Sequence, residues 1–144
     1  MKKLTPQLTL FLTLAKAQAI AARRFSNALS QWGLGLNEFT ILLHLAQAPN
    51  ETMRRIDLAE KIGLTASGIT RLLAPMEKIG LIKREVNARD ARVSLVALAP
   101  SGKRIIAESV ETAEWIADEW VQTHSAKKIK DSTDILAFIA SHLP

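Results

Sequence analysis

The segment Arg55–Leu73, RIDLAEKIGLTASGITRLL, decides the fold. Its first eight residues suit a short helix that stops at Gly63, because a glycine there takes positive φ and lets the chain turn back on itself. Thr65 follows as the N-cap of a second helix that runs to about Ile79 and ends at Gly80. Ala59 is small where two such helices cross, and Ile69 and Leu72 fill the space behind the second one. On the second helix Ile69, Leu72, Met76 and Ile79 form an apolar face, and Ser67, Thr70, Arg71 and Ala74 form the opposite one. This is a helix-turn-helix with an oily inward face and a hydrogen-bonding outward face. Pro75 lies inside the second helix, where it removes a hydrogen bond to the Arg71 carbonyl and is expected to bend the helix just past its outward-reading turns.

Beyond Gly80 the apolar period changes from helical to two. Leu81–Val86 and Val93–Leu98 read as strands joined by the polar loop Asn87-Ala88-Arg89-Asp90-Ala91-Arg92, a hairpin with a charged tip. Pro100 opens a helix, where its missing N–H does no harm. Ile106, Val110, Ala113, Ala117 and Trp120 form its apolar stripe, with Glu108, Glu111, Glu114 and Asp118 mainly opposite and Trp115 on the acidic side. A last helix, about Ala126 to His142, offers Ile135, Phe138, Ile139 and Leu143 as its apolar face.

Toward the N-terminus, residues from about Thr5 to Trp32 read as one long helix with the stripe Leu4, Leu8, Phe11, Ala15, Ala22, Phe25, Leu29, Trp32. Leu10, Leu14, Ala17 and Ala21 lie off that stripe, so more than one surface must cover the helix. Gly33-Leu34-Gly35 breaks it, and Asn37 is the expected N-cap of a helix carrying Phe39, Leu42, Leu43 and Ala46 that runs out before Pro49. The expected fold is mainly α with a small β-hairpin wing (α+β). One domain spans 1–144, with a winged helix-turn-helix lobe over 37–99 between flanking helices over 1–32 and 101–144. Those helices carry more apolar area than one small domain can hide, which makes them dimerisation helices.

At 144 residues the chain is the size of one ordinary domain, and its 48% hydrophobic and 23% charged residues describe an ordered globular protein. It has no cysteine, which excludes disulfides, thiolate metal sites and thiol nucleophiles together. The net charge of +5 is unevenly placed: residues 1–92 carry 14 bases against 7 acids, residues 93–144 carry 5 against 7. A polyanion would therefore meet the first part of the chain. Lys2, Lys3 and the apolar run Leu8–Ala15 imitate a secretory signal, but Lys16 interrupts the run and the helical stripe continues in register past it. The run is also too short for a membrane span. A cytoplasmic protein is the expectation.

A helix-turn-helix followed directly by a basic hairpin suits double-stranded DNA, since the second helix fits the major groove while an arm reaches the neighbouring minor groove. Arg71 can pair with guanine O6 and N7, Ser67 and Thr70 can bond base edges or phosphate, and Gly68 lets the backbone approach closely. At the wing Arg89 is the candidate for the narrow minor groove, with Arg92 bracing the loop or touching phosphate. Arg54 and Arg55, at the start of the motif, are candidate phosphate contacts, and Thr65 caps the reading helix.

The segments Arg55–Leu73, Glu77–Arg84 and Arg89-Asp-Ala-Arg92 together resemble the core of the MarR family of winged-helix transcription regulators. The resemblance extends in helix number and order over nearly the whole chain. It implies a homodimer whose first and last helices intertwine, a pseudo-palindromic operator, repression relieved by a ligand, and Arg89 inserted in the minor groove. Three positions depart from the family: Asn87 stands where an acidic residue usually opens the wing, Pro75 lies in the recognition helix, and Ala99 stands where a threonine often caps the helix after the wing. With Asn87 there, the contact that orients a wing arginine must come from a hydrogen bond or from Asp90.

Many regulators of this family bind small anionic aromatics in a crevice between the dimerisation helices and the DNA-binding lobe. That implies a small aromatic or anionic effector here, with Arg23, Trp32, His44 and Trp115 as lining. Beside it stand plainer roles: Trp32 in the core, Arg23 solvated, Trp115 buried by a second subunit. His44, His124 and His142 show no metal-ligand spacing, no cofactor motif is present, and nothing in the chain builds an enzyme site. Two competing readings are an exported or membrane-proximal interaction protein and a winged-helix module that docks on protein instead of DNA.

Overall fold

A computed structural model describes residues 1–142. Its elements run α1 (Pro6–Leu29), α2 (Leu36–Gln47), β1 (Thr52–Arg54), α3 (Arg55–Ile62), α4 (Ala66–Lys78), β2 (Ile82–Val86), β3 (Ser94–Leu98), α5 (Pro100–Val121) and α6 (Ala126–Ser141). The fold is mainly α with a small antiparallel sheet, as the sequence leads one to expect. Leu143, placed on the apolar face of the last helix, lies outside the described residues.

The helix ends follow from local chemistry. Thr5 caps α1 by accepting from the Leu8 N–H, and Thr65 caps α4 by accepting from the Gly68 N–H at 3.0 Å. Gly63, at φ 71°, closes α3: Leu64 N–H reaches the Ala59 carbonyl at 2.9 Å and Gly63 N–H the Glu60 carbonyl at 3.2 Å. The same pair of bonds recurs after α4, from Leu81 to Met76 and from Gly80, at φ 82°, to Glu77. At α2 the sequence reading needs correction. The helix starts at Leu36 with Gly35 as N-cap, and its first N–H is accepted by Ser26 Oγ of α1 at 3.2 Å, so Asn37 lies inside the first turn.

Burial also revises two helix faces. On α4 the buried residues are Ile69, Leu73 and Met76, spaced four and three apart, with Leu72 half-buried at their edge. Ile79 is turned out and 67% exposed, because it is the C-cap where the chain bends toward Gly80. On α5 the buried line runs Gly102, Ile106, Ser109, Ala113, Ile116, so Ile116 takes the place expected of Ala117. Alternating steps of four and three keep that line on one side of the helix.

The sheet has three strands in the order β1-β3-β2, one more than the expected hairpin. β1 pairs with β3 through Thr52↔Ala97, Met53↔Val96 and Arg54↔Leu95. Three residues with a single apolar member carry no period, so β1 was not legible in the sequence. Its consequence is positional: Arg54 ends the strand as the N-cap of α3, which ties the start of the helix-turn-helix to the wing.

The core lies between α2, α3, α4, the sheet and the inner faces of α1 and α5, around Leu29, Ile41, Leu42, Leu45, Leu58 and Ile69. The first turns of α5 close it. A Cβ built on Gly102 would sit 2.1 Å from the Leu81 carbonyl oxygen and 3.0 Å from Leu98 Cδ1. Backbone cannot yield as a flexible side chain can, so Gly102→Ala is expected to destabilise the protein by about 1–3 kcal/mol, the ordinary cost of overpacking. Urea denaturation of the purified variant measures it, and an unchanged midpoint would show that α5 can lift from Leu81 freely.

Candidate nucleic-acid interface

The end of β1, the start of α3, the first turns of α4 and the returning arm of the wing border one groove of about 630 Å³. Arg54, Arg55 and Arg92 stand in its wall beside the apolar Ala59, Leu64 and Ile69. The two parts that the sequence proposes for DNA, the second helix and the wing, are thus neighbours on one side of the molecule.

On α4 the residues proposed to read bases all lie outward, and Ser67, Thr70 and Arg71 are exposed. Their hydroxyls are already engaged. Ser67 Oγ lies 3.2 Å from the Thr65 capping oxygen, while Thr70 Oγ1 donates to the Ala66 carbonyl at 2.9 Å and accepts from Arg55 Nη1 at 3.0 Å. A Cβ at Gly68 would approach Thr65 Oγ1 to 3.2 Å, so the glycine leaves room for the cap. Arg71 takes part in none of the ion pairs among the described residues. Pro75 is exposed, and the helix continues past it to Lys78.

Arg54 forms a two-pronged pair with Asp57, Nε to Oδ2 at 2.8 Å and Nη2 to Oδ1 at 2.9 Å. This hydrogen bonding holds the Asp57 carboxyl below the usual carboxylate range. The wing supports itself in a similar way. Asn87 Oδ1 accepts from the backbone N–H of Arg89 at 2.8 Å and of Asp90 at 3.4 Å, an Asx turn that an amide supports as well as a carboxylate does. Asp90 in turn accepts from Arg92, at 3.1 Å from Nε and 3.2 Å from Nη2, and its carboxyl is held low by that contact. Asn87 thus bonds the loop backbone and Asp90 holds Arg92, and neither is bonded to the Arg89 side chain. Arg89 in the loop, like Arg84 on β2, joins none of the ion pairs among the described residues. Solvent-exposed pairs of this kind add little to stability, so Arg54 and Arg92 can exchange a carboxylate for a phosphate at small cost.

The four residues proposed for an effector are distributed differently. Trp32 packs against the core and donates from Nε1 to Glu108 Oε2 at 3.3 Å. His44 lines a cavity of about 520 Å³ with Gln47, Pro49, Thr52, Met53 and Lys61, and neither Arg23, Trp32 nor Trp115 stands in its wall. Arg23 is exposed, and Trp115 is 59% exposed. The sequence reading missed Arg24, which lies 4.7 Å over the Trp120 ring and 3.4 Å from Glu119, because a contact between α1 and α5 leaves no local signal. It also missed the bond from Arg55 to Thr70. Among the described residues no cluster of three His, Asp or Glu is placed to hold a metal, and no helix is long and apolar enough to cross a membrane.

The MarR family model matches residues 34–94, from the residue before Gly35 through the first residue of β3. The matched stretch holds α2, the helix-turn-helix, β2 and the wing loop. Among curated proteins it is similar to YdgJ of Bacillus subtilis (strain 168), an uncharacterized HTH-type transcriptional regulator, at 26% identity over 108 residues. That match covers 75% of this chain and 63% of YdgJ, so the chain spans less than two thirds of the relative's length. Among solved structures, the MarR family regulator Sco3205 of Streptomyces coelicolor, crystallised with DNA, superposes with a TM-score of 0.85 at 20% identity, over 97% of this chain and 89% of Sco3205. NadR in complex with 4-hydroxyphenylacetate superposes with a TM-score of 0.82 at 23% identity, over 99% and 100% of the two chains. At such identities these two share the fold.

His44 has a titration of its own. Burial, and then the nearby Lys61 charge, push its imidazole below the ordinary value. The folded protein therefore resists a proton that the unfolded chain accepts, and stability falls as pH drops through the ordinary imidazole range near ~6.5 and below. Stability that is full above pH 7 should decline toward pH 5, and less steeply in His44→Gln than in the wild type. Urea midpoints across that range check this; equal slopes would assign the decline to other groups.

Proposed function

We propose that the protein is a homodimeric, sequence-specific double-stranded DNA-binding transcription regulator, a cytoplasmic repressor whose operator is pseudo-palindromic and whose binding is relieved by a small aromatic or anionic effector. The observation that carries the reading is that the first turns of α4, at Ala66 and Ile69, border the same groove as Arg92 of the self-supported wing loop, while Ser67, Thr70, Arg71 and Arg89 are exposed. The major groove admits α4, and Arg71 there pairs with guanine. Arg89 enters the adjoining minor groove, and Arg54 and Arg92 follow the phosphates. Sco3205, which shares the fold, was crystallised with DNA.

The dimer rests on unburied apolar surface. Not one residue of α6 is buried in the single chain, and Leu8, Phe11, Leu12, Ile135 and Phe138 of α1 and α6 are all exposed. Patches of this extent need cover, and a second copy supplies it, with Trp115 among the residues it would bury. Residues 1–32 and 101–144 serve as the dimerisation helices and 37–99 as the DNA-binding lobe. Two-fold symmetry then sets the two copies of α4 about one DNA turn apart, roughly 34 Å. The effector reading rests on fold-sharing with NadR, which was solved with 4-hydroxyphenylacetate, on Trp32 just before the lobe and on His44 within it. We assign no catalysis and no cofactor.

Titrating labelled duplex at several salt concentrations tests the reading. A DNA-binding regulator loses affinity steeply as salt rises, because each phosphate neutralised releases a counterion. Arg71→Ala is expected to cost about 1–3 kcal/mol on the preferred site and to relax base preference there. Arg89→Ala weakens binding while the melting temperature stays unchanged. A flat salt response, with both variants binding as the wild type does, would point to docking on protein instead.

A further inference from the structure

Thr70 stands on the outward face of α4 with its hydroxyl engaged twice, as donor to the Ala66 carbonyl and as acceptor from Arg55. A hydroxyl has one proton and two lone pairs. One lone pair and the γ-methyl are therefore what Thr70 can offer a base. Arg55 is built to hold this arrangement. It is the first residue of α3, its Nε is buried without a partner, and it lines a crevice with Leu73, Glu77, Ile82 and Val96. Its side chain is committed to the seam between α4 and the sheet, unlike that of exposed Arg71.

A threonine in a helix divides between two χ1 rotamers, because its hydroxyl can reach a carbonyl of the preceding turn from either. An arginine donor fixed on one side selects between them. We propose that Arg55 is a positioning residue for DNA reading: it holds the Thr70 hydroxyl within the protein so that α4 presents the Thr70 methyl to the base edges, and the group recognised is the C5 methyl of a thymine. Contact between a threonine methyl and the thymine methyl is an established mode of major-groove reading. The proposal rests on α4 being the DNA-reading helix.

The test begins with selection of duplexes from a random pool by the wild-type protein. If no sequence is enriched, the DNA reading itself fails, and that outcome is separate from those below. On the enriched duplex each thymine is replaced in turn by deoxyuridine, which lacks only the methyl. One thymine in each half-site should weaken wild-type binding about three- to fivefold on demethylation, the size of one buried methyl. Thr70→Val keeps that sensitivity, since valine in a helix holds one rotamer by its own sterics, and Thr70→Ala loses it. Arg55→Met loses it in the wild-type background, has no further effect in Thr70→Val, and leaves the salt slope unchanged.

Three results overturn the proposal: no thymine responds to demethylation, Thr70→Val behaves as Thr70→Ala does, or Arg55→Met lowers the salt slope by about one and does so equally in the Thr70→Val background. The last would mark Arg55 as a phosphate contact. Thr70 is exposed, so its two variants decide the matter even where Arg55→Met loosens the fold.

Discussion

The close approach of the first turn of α5 to the Gly80–Leu81 backbone fastens the parts of this protein together. No side chain at position 102 fits between them, and three features meet at the same point: the Ala99 N–H donates to the Leu81 carbonyl at 3.0 Å, Ser101 Oγ donates to the Gly80 carbonyl, and Leu98 closes over the glycine. The end of α4, the start of β2, the end of β3 and the start of α5 are therefore joined within a few residues. Packed backbone of this kind transmits displacement in place of absorbing it. A movement of the long α5 helix would carry the wing and α4 with it, and in the proposed dimer this would link α1, α5 and α6 to the spacing of the two copies of α4.

Within that frame the two halves of the proposed interface are prepared by different means. On α4 the hydroxyls serve the helix first: Thr65 caps it, Ser67 leans on the cap, and Thr70 bonds back to Ala66 and across to Arg55. What α4 offers outward is shape and the Arg71 charge. The wing is held by side chain-to-backbone contacts at its tip, with Asn87 gathering two N–H groups and Asp90 gathering Arg92. A short loop ordered by its own polar groups loses less conformational freedom on binding than a slack one.

The helix-turn-helix was almost fully legible because its signals are local. A glycine at φ 71°, a threonine cap and an apolar period within 25 residues declare themselves without reference to the rest of the chain. The outward position of Ser67, Thr70, Arg71 and Arg89 was legible for the same reason, since it follows from helical phase and from the turn. Misreadings fall where a distant element intervenes. Asn37 was displaced as a cap by Ser26 of the preceding helix, β1 exists only because β3 lies beside it, and Ile79 left the core because the chain turns there. The proposed effector residues are the extreme case: their common factor is chemistry and not position, and the fold separates His44 from Trp115.

By itself, then, the sequence determined the order and type of every helix and strand but β1, the turn at Gly63, the outward set Ser67, Thr70 and Arg71, and the basic loop from Arg89 to Arg92. Each of these depends on interactions between residues a few positions apart, which any reading of the chain can see. Only the tertiary structure decided that Arg55 lies against Thr70, that Asp90 binds Arg92 while Arg89 stays outside every ion pair described, and that Gly102 must be bare for α5 to reach Leu81. Those outcomes turn on distances between side chains and backbone that come together only when separate elements pack, and no periodicity encodes them.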